Sequence, residues 1–274
     1  MQIDGKTQLY GVVGNPVKHS LSPVFQNRTF ESLGINAVYL PFELPIGNFE
    51  ETFKGLLNIE NFKGCNITVP FKERVLKFGE PSEEVIEIGS ANTVKKTPEG
   101  AIFLYNTDWI GFLNHLKELT DPKGKKVLVL GAGGTAKAVV YALKRAKAEV
   151  YIWNRTLQKA VNLAKKFQVE VLPKIETLKG FDILVNTTSV GLKENDPYLF
   201  DYNLIEPSMV VYDVIYTETP LVRVARQKGA IADNGLKMLL YQGVESFKIW
   251  TGKEPNVNEL WKVLKEASEK SLKR

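Results

Sequence analysis

Cysteine and histidine are scarce in this chain. Its 274 residues include one cysteine, Cys65, so an intrachain disulfide is excluded and a reducing compartment is the expected home. His19 and His115 are the two residues that could supplement this thiol as metal ligands, and their positions do not form a ligand motif. The sequence therefore predicts no metal site.

Long apolar runs and basic blocks are also missing. No stretch approaches the roughly 18 consecutive apolar residues of a membrane helix, and the opening MQIDGKTQLYGVVG lacks the basic and then apolar pattern of a secretion signal. The formal net charge is +5, but lysines alternate with glutamates, as in KKFQVE. We therefore expect a cytoplasmic protein that binds neither membranes nor nucleic acid, with a mild positive field that suits anionic small molecules.

Short apolar runs alternate with amphipathic stretches through the first hundred residues. The runs LYGVVG, AVYLPFEL and CNITV are typical of strands, and the stretches from Pro23 to Leu33 and from Phe49 to Leu57 are typical of helices. Alternation of this kind indicates βαβ units and predicts a largely parallel sheet.

A second alternating block opens at KKVLVLG and continues with the runs EVYIWN, VEVLP, DILVNT and MVVYDVIY. The helical stretch DWIGFLNHLKEL and the residues DPKG connect the two blocks. Near the C-terminus an apolar stripe of Val257, Leu260, Trp261 and Leu264 recurs at helical spacing, and we expect it to return to the first domain. The sequence thus predicts two α/β domains: residues 1–107 completed by C-terminal helices in 240–274, and residues 108–239.

The second block begins with a glycine-rich turn. The spacing G-x-G-x-x-A follows the strand VLVL directly and precedes the helical run AKAVVYALKRA. Such glycines permit a tight turn and close approach to a pyrophosphate, which then sits at the positive end of the helix. An ordinary strand-to-helix turn is the alternative. We predict a Rossmann-like dinucleotide site that includes Gly131, Ala132, Gly133, Gly134, Thr135 and Ala136.

The next strand indicates which dinucleotide is bound. In NAD enzymes an Asp or Glu about 20 residues downstream accepts hydrogen bonds from the ribose 2′-hydroxyl. Here EVYIW ends instead in Asn154, Arg155 and Thr156, followed by Lys159. An arginine at a strand end can hold phosphate oxygens in a bidentate fork, although a solvent-facing arginine would look the same in sequence. These four residues favour NADP over NAD.

Several oxidoreductase designs do not fit. No tyrosine has a lysine four residues on, so the Tyr-x-x-x-Lys acid of short-chain dehydrogenases is absent. The Cys and His ligands of a zinc alcohol dehydrogenase are lacking. Lactate and malate dehydrogenases normally use a histidine as acid/base, and here both histidines precede the glycine-rich turn. The acid/base group is therefore sought in the first block, where Lys72 follows Pro70. Proline favours the first position of a helix, so we expect Lys72 in a first helical turn. A positive charge there is unfavourable, because it opposes the helix dipole. A lysine at this position is therefore better explained by a role as acid/base than by stabilisation of the fold.

Ten segments in this order resemble the shikimate dehydrogenase family over nearly the whole chain: GNPVKHSLSP, NITVPFK, Ala91–Thr93, Asn106–Asp108, GAGGTA, NRT, Asn186–Gly191, Asp213–Tyr216, Thr219–Leu221, and Asn234-Gly235 through Gln242-Gly243. The resemblance implies a substrate domain and a Rossmann-like NADP domain with a deep cleft between them. It also implies reversible reduction of 3-dehydroshikimate to shikimate. Gln26 stands where many relatives have a histidine, so we assign it no catalytic role.

The resemblance also implies binding roles. Ser20 and Ser22 would hold the substrate carboxylate, and Asn66, Thr68, Asn92 and Gln242 the ring hydroxyls. Taken singly, Ser22 could be a helix N-cap and Asn92 a turn residue. The full set of expected substrate contacts is Ser20, Ser22, Asn66, Thr68, Lys72, Asn92, Asp108, Tyr216 and Gln242. Further expected cofactor contacts are Thr188, Val214 and Gly235.

Lys72 and Asp108 are the expected catalytic pair. A protonated Lys72 can stabilise the charge that develops on a ketone oxygen during hydride transfer and deliver the proton. Asp108 would orient Lys72 and bind the reacting hydroxyl, although it could also cap the helix that it opens. His19 is expected to have no catalytic role, and Trp109 and Trp250, like Phe112, are expected to serve packing.

Two rival functions stay open at this point. A quinate/shikimate dehydrogenase of broader specificity often uses NAD, and an acidic residue in place of Arg155 would have favoured it. A metabolite sensor without turnover has no need of both Lys72 and Asp108. Partners other than the small-molecule substrate and NADP are not expected, apart from a second copy of the chain in a homodimer.

Overall fold

The chain divides into two units in the computed structural model, which describes residues 3–193 and 195–271. The first unit comprises Met1–Thr107 with Leu240–Arg274, and the second comprises Asp108–Leu239. Within the described residues, none of the helices combines the length and the apolar character that a membrane crossing requires.

The first unit contains a six-stranded mixed sheet. Its strands are β1 (Gln8–Gly14), β2 (Ala37–Glu43), β3 (Phe62–Ile67), β4 (Glu80–Pro81), β5 (Thr93–Lys96) and β6 (Ile102–Tyr105), in the order β2-β1-β3-β5-β6-β4. Helices α1 (Ser22–Ser32), α2 (Phe49–Leu57) and α3 (Glu83–Ile88) connect them, with a 3-10 helix at Arg74–Phe78. The pairs β1–β2, β1–β3 and β4–β6 are parallel, as the alternating pattern predicts.

The pairs β3–β5 and β5–β6 are antiparallel and depart from that pattern. Strands β5 and β6 form a hairpin that the sequence analysis missed. Its connection is closed by hydrogen bonds from Thr97 N–H to Ala101 O, at 2.9 Å, and from Gly100 N–H to Thr97 O, at 3.0 Å. Gly100 has a φ of +90°, a conformation that favours glycine. The signal was present in the sequence as Pro98-Glu99-Gly100 between two apolar runs.

The second unit is a parallel sheet with helices between its strands. In chain order its elements are α4 (Asp108–Leu119), β7 (Lys126–Leu130), α5 (Gly134–Arg145), β8 (Glu149–Trp153), α6 (Leu157–Phe167), β9 (Glu170–Val171), β10 (Ile183–Asn186), β11 (Val210–Asp213), α7 (Pro220–Gln227) and β12 (Ile231–Asp233). The strand order is β12-β11-β10-β7-β8-β9, and every neighbouring pair is parallel. This is the doubly wound order of dinucleotide-binding sheets, and its direction of winding reverses between β7 and β10.

The C-terminal part of the chain returns to the first unit. Helix α8 (Leu236–Thr251) leads into α9 (Val257–Ser271), which packs against α1. Leu260 and Leu264 of the apolar stripe are buried, and Arg28 of α1 forms an ion pair with Glu259 of α9 at 2.7 Å. Trp250 of α8 packs with its ring tilted against Tyr10, in the aromatic part of this unit's core.

Candidate functional site

Strands β1 and β3 bring two of the predicted binding segments together. Because these neighbouring strands are parallel, the segments that follow them leave the sheet at the same edge. Thr68 N–H donates to Val13 O at 2.8 Å, and Asn15 N–H donates to Val69 O at 3.0 Å. A Cβ on Gly14 would lie 2.3 Å from Thr68 Cγ2, so glycine is required for this approach. The segments around Ser20 and Thr68 are thus locked to one another.

Ser22 is the first residue of α1 and is buried. Its N–H donates to Ser20 Oγ at 3.3 Å. The N-cap position belongs to Leu21, which makes no side-chain capping bond. The N-cap alternative for Ser22 is therefore wrong, since Ser22 already lies inside the helix. Ser20 is half-buried beside it, and His19 is exposed.

Lys72 does not lie in the first turn of a helix, so that expectation was wrong. The chain after β3 forms turns, with Phe71 N–H donating to Thr68 O at 3.0 Å, and the 3-10 helix begins only at Arg74. The carbonyl of Lys72 accepts from Ala91 N–H at 2.8 Å and is thereby diverted from helical bonding. The helix-dipole argument for Lys72 therefore does not apply. The bond from Ala91 N–H to the Lys72 carbonyl instead fixes the half-buried Lys72 beside the segment that carries Asn92.

A buried network of polar side chains fills this part of the first unit. Asn92 Oδ1 accepts from Thr107 N–H at 2.7 Å, and Asn92 Nδ2 donates to Gln242 Oε1 at 3.2 Å. Asn92 therefore connects the sheet to α8 and is more than a turn residue. Because buried polar groups need partners, each member constrains the others. The members are Asn66, Asn92, Thr93, Thr107, Gln242 and Ser246.

Three of these six side chains, Asn66, Asn92 and Gln242, were expected site residues. Thr93 and Thr107 lie within the motifs of the family resemblance but were not expected to have a role, and Ser246 was not predicted. Ser246 lies one helical turn after Gln242 and donates to its carbonyl at 2.9 Å. The i, i+4 spacing of Gln242 and Ser246, which places two polar side chains on one face of the helix, was the available signal.

In the second unit the glycine-rich turn joins β7 to α5, as predicted. Gly131 has a φ of +111°, and a Cβ there would lie 2.5 Å from Thr187 Oγ1. Gly131 N–H donates to Trp153 O at 2.8 Å, so the turn is tied to the end of β8. Ala136 is fully buried against the sheet, which accounts for a small residue at that position.

Gly133 differs from Gly131 because nothing in the fold requires glycine there. A Cβ on Gly133 would meet no atom within 4 Å, and the residue is exposed at the N-cap of α5. The helix N-terminus presents backbone N–H groups and the positive end of the helix dipole. An open glycine at this place fits the close approach of a pyrophosphate, so the residues of the turn fit a dinucleotide.

Arg155 is the second residue after β8, the strand that pairs with β7. It is exposed, as are Thr156 and Lys159. Asn154 Nδ2 donates to Thr156 O at 2.9 Å and so shapes the short connection to α6. An exposed guanidinium and an exposed ammonium are thus presented together where the second ribose of a dinucleotide is held in folds of this class. No carboxylate stands among residues 154–159.

Asn186 and Asp213 organise the loops that follow β10 and β11. Asn186 Oδ1 accepts from the backbone N–H of Thr188 at 3.0 Å and from its hydroxyl at 2.8 Å. Thr219 Oγ1 donates to Asp213 at 2.8 Å and also accepts from Val222 N–H as the cap of α7. Thr188, an expected cofactor contact, is thereby held next to the point where the sheet reverses its winding.

Val214 and Gly235, two further expected cofactor contacts, lie against each other. A Cβ on Gly235 would lie 2.2 Å from Val214 O, and Gly235 N–H donates to Ile215 O at 2.9 Å. Glycine is therefore needed to join β12 and α8 at this point. Tyr216, an expected substrate contact, follows Val214 by two residues and is half-buried. Burial raises the pKa of its hydroxyl.

His115 is buried in the second unit. Its Nδ1 lies 2.8 Å from Tyr212 Oη, and its Nε2 lies 3.3 Å from Asp233 Oδ2. Phe112 packs edge-on against the same Tyr212 ring. The described residues contain no group of three or more His, Cys, Asp or Glu side chains that could hold a metal ion.

Asp108, the other expected catalytic residue, is buried as the first residue of α4.

Residues that were assigned packing roles, or no catalytic role, have matching contacts. Trp250 Nε1 donates to Val94 O at 2.9 Å, and its ring lies against Tyr10 and Tyr39. Trp109 packs edge-on against Tyr141. Gln26 is buried, and its amide donates to Gly243 O at 2.9 Å, which joins α1 to α8.

Comparisons with known proteins agree along the chain. The family described as "Shikimate dehydrogenase substrate binding domain" matches residues 12–94, "Shikimate / quinate 5-dehydrogenase" matches residues 115–193, and "Shikimate 5'-dehydrogenase C-terminal domain" matches residues 235–265. A relative from Aquifex aeolicus named shikimate dehydrogenase (NADP(+)) is 51% identical over 255 residues, which are 92% of this chain and 94% of the relative.

Solved structures give the same result. The crystal structure of shikimate dehydrogenase from Aquifex aeolicus is 48% identical, with a TM-score of 0.93 over 96% of this chain and 99% of that one. The Thermus thermophilus enzyme, solved in complex with NADP(H) and shikimate, is 36% identical, with a TM-score of 0.88 over 95% of this chain and 100% of that one. The two-domain α/β fold predicted from the sequence is confirmed. By sequence and by structure, the chain belongs to the shikimate dehydrogenase family.

Proposed function

We propose that this protein is an NADP-dependent shikimate dehydrogenase that interconverts 3-dehydroshikimate and shikimate in the biosynthesis of aromatic amino acids. Membership of the family supports the reaction. The observation that carries the choice of cofactor is the exposed Arg155 at the end of β8, in a segment without a carboxylate. A guanidinium there suits a 2′-phosphate, whereas an acidic residue would suit the free hydroxyl of NAD.

The cofactor would be held by the turn between β7 and α5 and by the segment around Arg155. When bound, the nicotinamide supplies or accepts a hydride at the carbon that carries the reacting oxygen. The backbone N–H groups from Gly133 onward would bind the pyrophosphate at the helix N-terminus. Thr188, Val214 and Gly235 are proposed as further contacts, together with Asn154, Thr156 and Lys159.

The substrate would be bound by neutral hydroxyls and amides of the first unit. A small polyhydroxylated acid needs several donors and acceptors from different segments. We assign the carboxylate to Ser20 and Ser22 and the ring hydroxyls to Asn66, Thr68, Asn92 and Gln242. The buried network supports this assignment, because it holds the amides of Asn92 and Gln242 together at 3.2 Å. Tyr216 is proposed as an additional contact from the second unit.

Lys72 and Asp108 are proposed as the catalytic pair. In the reductive direction, hydride addition leaves negative charge on oxygen, and the ammonium of Lys72 stabilises this charge and transfers a proton to it. In the oxidative direction, neutral Lys72 accepts the hydroxyl proton. Asp108 would hold the reacting hydroxyl and orient the lysine.

The rival dehydrogenase is a quinate/shikimate enzyme with broader specificity. The two functions can be distinguished by comparing oxidation rates when shikimate or quinate is offered with NADP or with NAD. We expect absorbance at 340 nm to rise fastest with shikimate and NADP. Comparable rates with quinate, or a preference for NAD, would establish the rival, and no turnover in any combination would establish a sensor.

We further propose a cytoplasmic location, which is consistent with the single, buried Cys65. A homodimer is the proposed assembly. Light scattering on the purified protein measures its mass directly, and a mass near 30.8 kDa, that of one chain, would contradict the dimer.

A further inference from the structure

Asn66 has nearly all of its hydrogen-bonding capacity engaged inside the protein. Its Nδ2 donates to Ser246 Oγ at 2.8 Å and, at 3.2 Å each, to Asn92 O and Thr93 Oγ1. Its Oδ1 accepts from Tyr39 Oη at 2.8 Å. An amide nitrogen has two hydrogens and a carbonyl oxygen has two lone pairs. Both hydrogens are therefore committed to the protein, and one lone pair of Oδ1 is left.

Tyr39 holds the oxygen end of the Asn66 amide. The hydroxyl of Tyr39 has a single proton, and this proton is donated to Asn66 Oδ1. Burial raises the pKa of Tyr39 well above its usual value, so the phenol stays protonated and remains the donor in this bond.

Ser246 holds the other end of the Asn66 amide. Its Oγ lies within 2.8 Å of both Asn66 Nδ2 and Thr93 Oγ1, and it is fully buried. Without the hydroxyl of Tyr39 or of Ser246, the amide is held by fewer partners and can rotate about its side-chain torsion. The remaining lone pair of Oδ1 would then no longer be aimed at the position that a substrate hydroxyl meets.

We propose that Tyr39 and Ser246 are positioning residues that clamp the Asn66 amide from its two ends, so that Asn66 presents an oxygen and acts as an acceptor toward a substrate hydroxyl. Neither residue belongs to the expected set of substrate contacts. The inference rests on the proposed function, because it assigns a direction to one of that function's hydrogen bonds.

The test starts from Tyr39→Phe, which removes a hydroxyl and leaves the ring in place. We expect the KM for shikimate to rise about tenfold, the effect of losing one neutral hydrogen bond, while kcat changes less than about threefold and the KM for NADP is unchanged. Tyr10→Phe is the matched control. Tyr10 is also buried against Trp250, but among the described residues its hydroxyl has only a long, 3.5 Å contact with Gln8. It should leave all three constants near wild type.

A double-mutant cycle separates positioning from a general loss of structure. Ser246→Ala should raise the KM for shikimate like Tyr39→Phe, and the double variant should be no worse than the poorer single variant, because an amide released at one end gains little further freedom. Ser268→Ala, at another buried serine on α9, is the control and should combine with Tyr39→Phe additively.

The outcomes are distinguishable. Wild-type protein that fails to oxidise shikimate with NADP overturns the proposed function, and the positioning role falls with it. If the wild type turns over, a KM for Tyr39→Phe within twofold of wild type overturns the positioning role alone. So does a double variant whose KM increase equals the product of the two single increases, since the two residues would then act independently.

Discussion

Asn186 donates from Nδ2 to both carboxylate oxygens of Asp213, at 3.1 Å to each. The two residues are register partners at the ends of the parallel strands β10 and β11. Asp213 also accepts from Ile215 N–H at 3.1 Å and from Thr219 Oγ1 at 2.8 Å. Burial raises the pKa of Asp213 to about 6, and these hydrogen bonds act in the opposite direction. A buried carboxyl therefore fastens the two loops that follow the central strands.

The raised pKa of Asp213 predicts a pH dependence of stability. Between the unfolded value near 4 and the folded value of about 6, the folded protein binds the extra proton, so this group's contribution to stability falls as pH rises through that window. Asp213→Asn removes the titration. We expect the variant to lose more stability at pH 4 than at pH 7.5, with a difference on the order of 2–3 kcal/mol.

Thermal unfolding of wild type and Asp213→Asn, measured in steps from pH 4 to 8, tests this prediction. The variant should be less stable throughout, because an amide can accept from fewer of the three donors that surround Asp213. An equal loss in Tm at both ends of the range would mean that the carboxyl is ionised over the whole window.

Arg155→Asp should weaken NADP far more than NAD. The change removes a bidentate partner of the 2′-phosphate and introduces a charge that repels it. We expect the KM for NADP to rise by about tenfold to a hundredfold, in line with the roughly 1.5–3 kcal/mol of a hydrogen bond to a charged group. Lys165→Asp, an exposed position on the following helix α6, is the control for altered net charge. Equal effects of both variants would show that Arg155 is not the phosphate ligand.

The two glycines of the turn after β7 should fail in different ways when replaced by alanine. Gly131→Ala places a side chain at a φ of +111° and 2.5 Å from Thr187 Oγ1, so we expect loss of stability. Gly133→Ala meets no protein atom within 4 Å, so Tm should stay near wild type while the KM for NADP rises about tenfold or more. Thermal melts and NADP kinetics of the two variants separate these effects. A Gly133→Ala enzyme with normal NADP kinetics would place the pyrophosphate elsewhere.

Local pattern was sufficient for much of the fold. The helix predicted over DWIGFLNHLKEL spans Asp108–Leu119, and a helix was predicted around Phe49 to Leu57, where α2 lies, because each has a clear apolar stripe and flanking polar residues. The turn at Gly131 was predictable because its glycines follow a fully apolar strand. The hairpin of β5 and β6 was missed because only a Pro-Glu-Gly turn distinguishes it from a βα connection.

The site could be predicted only in part, for a physical reason. Ser246, Tyr39 and Thr107 act through contacts with residues 15 to 180 positions away, and such pairings leave no periodic trace in the sequence. Lys72 shows the opposite failure. A proline two residues before it resembled a helix start, but the tertiary bond from Ala91 N–H to the Lys72 carbonyl overrides that local preference.

Lys72→Ala should lower turnover by about two to four orders of magnitude, the range expected for loss of a general acid/base, and should change substrate affinity by less than roughly tenfold. The reason is that shikimate would already be held by neutral side chains of the buried network, so the lysine adds little to ground-state binding. Its larger contribution arises when charge develops on the reacting oxygen, and a contribution of this kind appears in kcat.

Steady-state kinetics, with shikimate affinity measured separately by calorimetry, tests the role of Lys72. Lys77→Ala is the matched control, because Lys77 lies on the adjacent 3-10 helix and pairs with Glu50 at 3.1 Å. It should retain wild-type kcat. Asp108→Ala alone should also lower kcat. The double variant should be little worse than either single variant, since the two groups would act as one unit. If Lys72→Ala instead keeps its turnover and loses only affinity, the lysine is a binding residue and Asp108 becomes the first candidate for the proton donor.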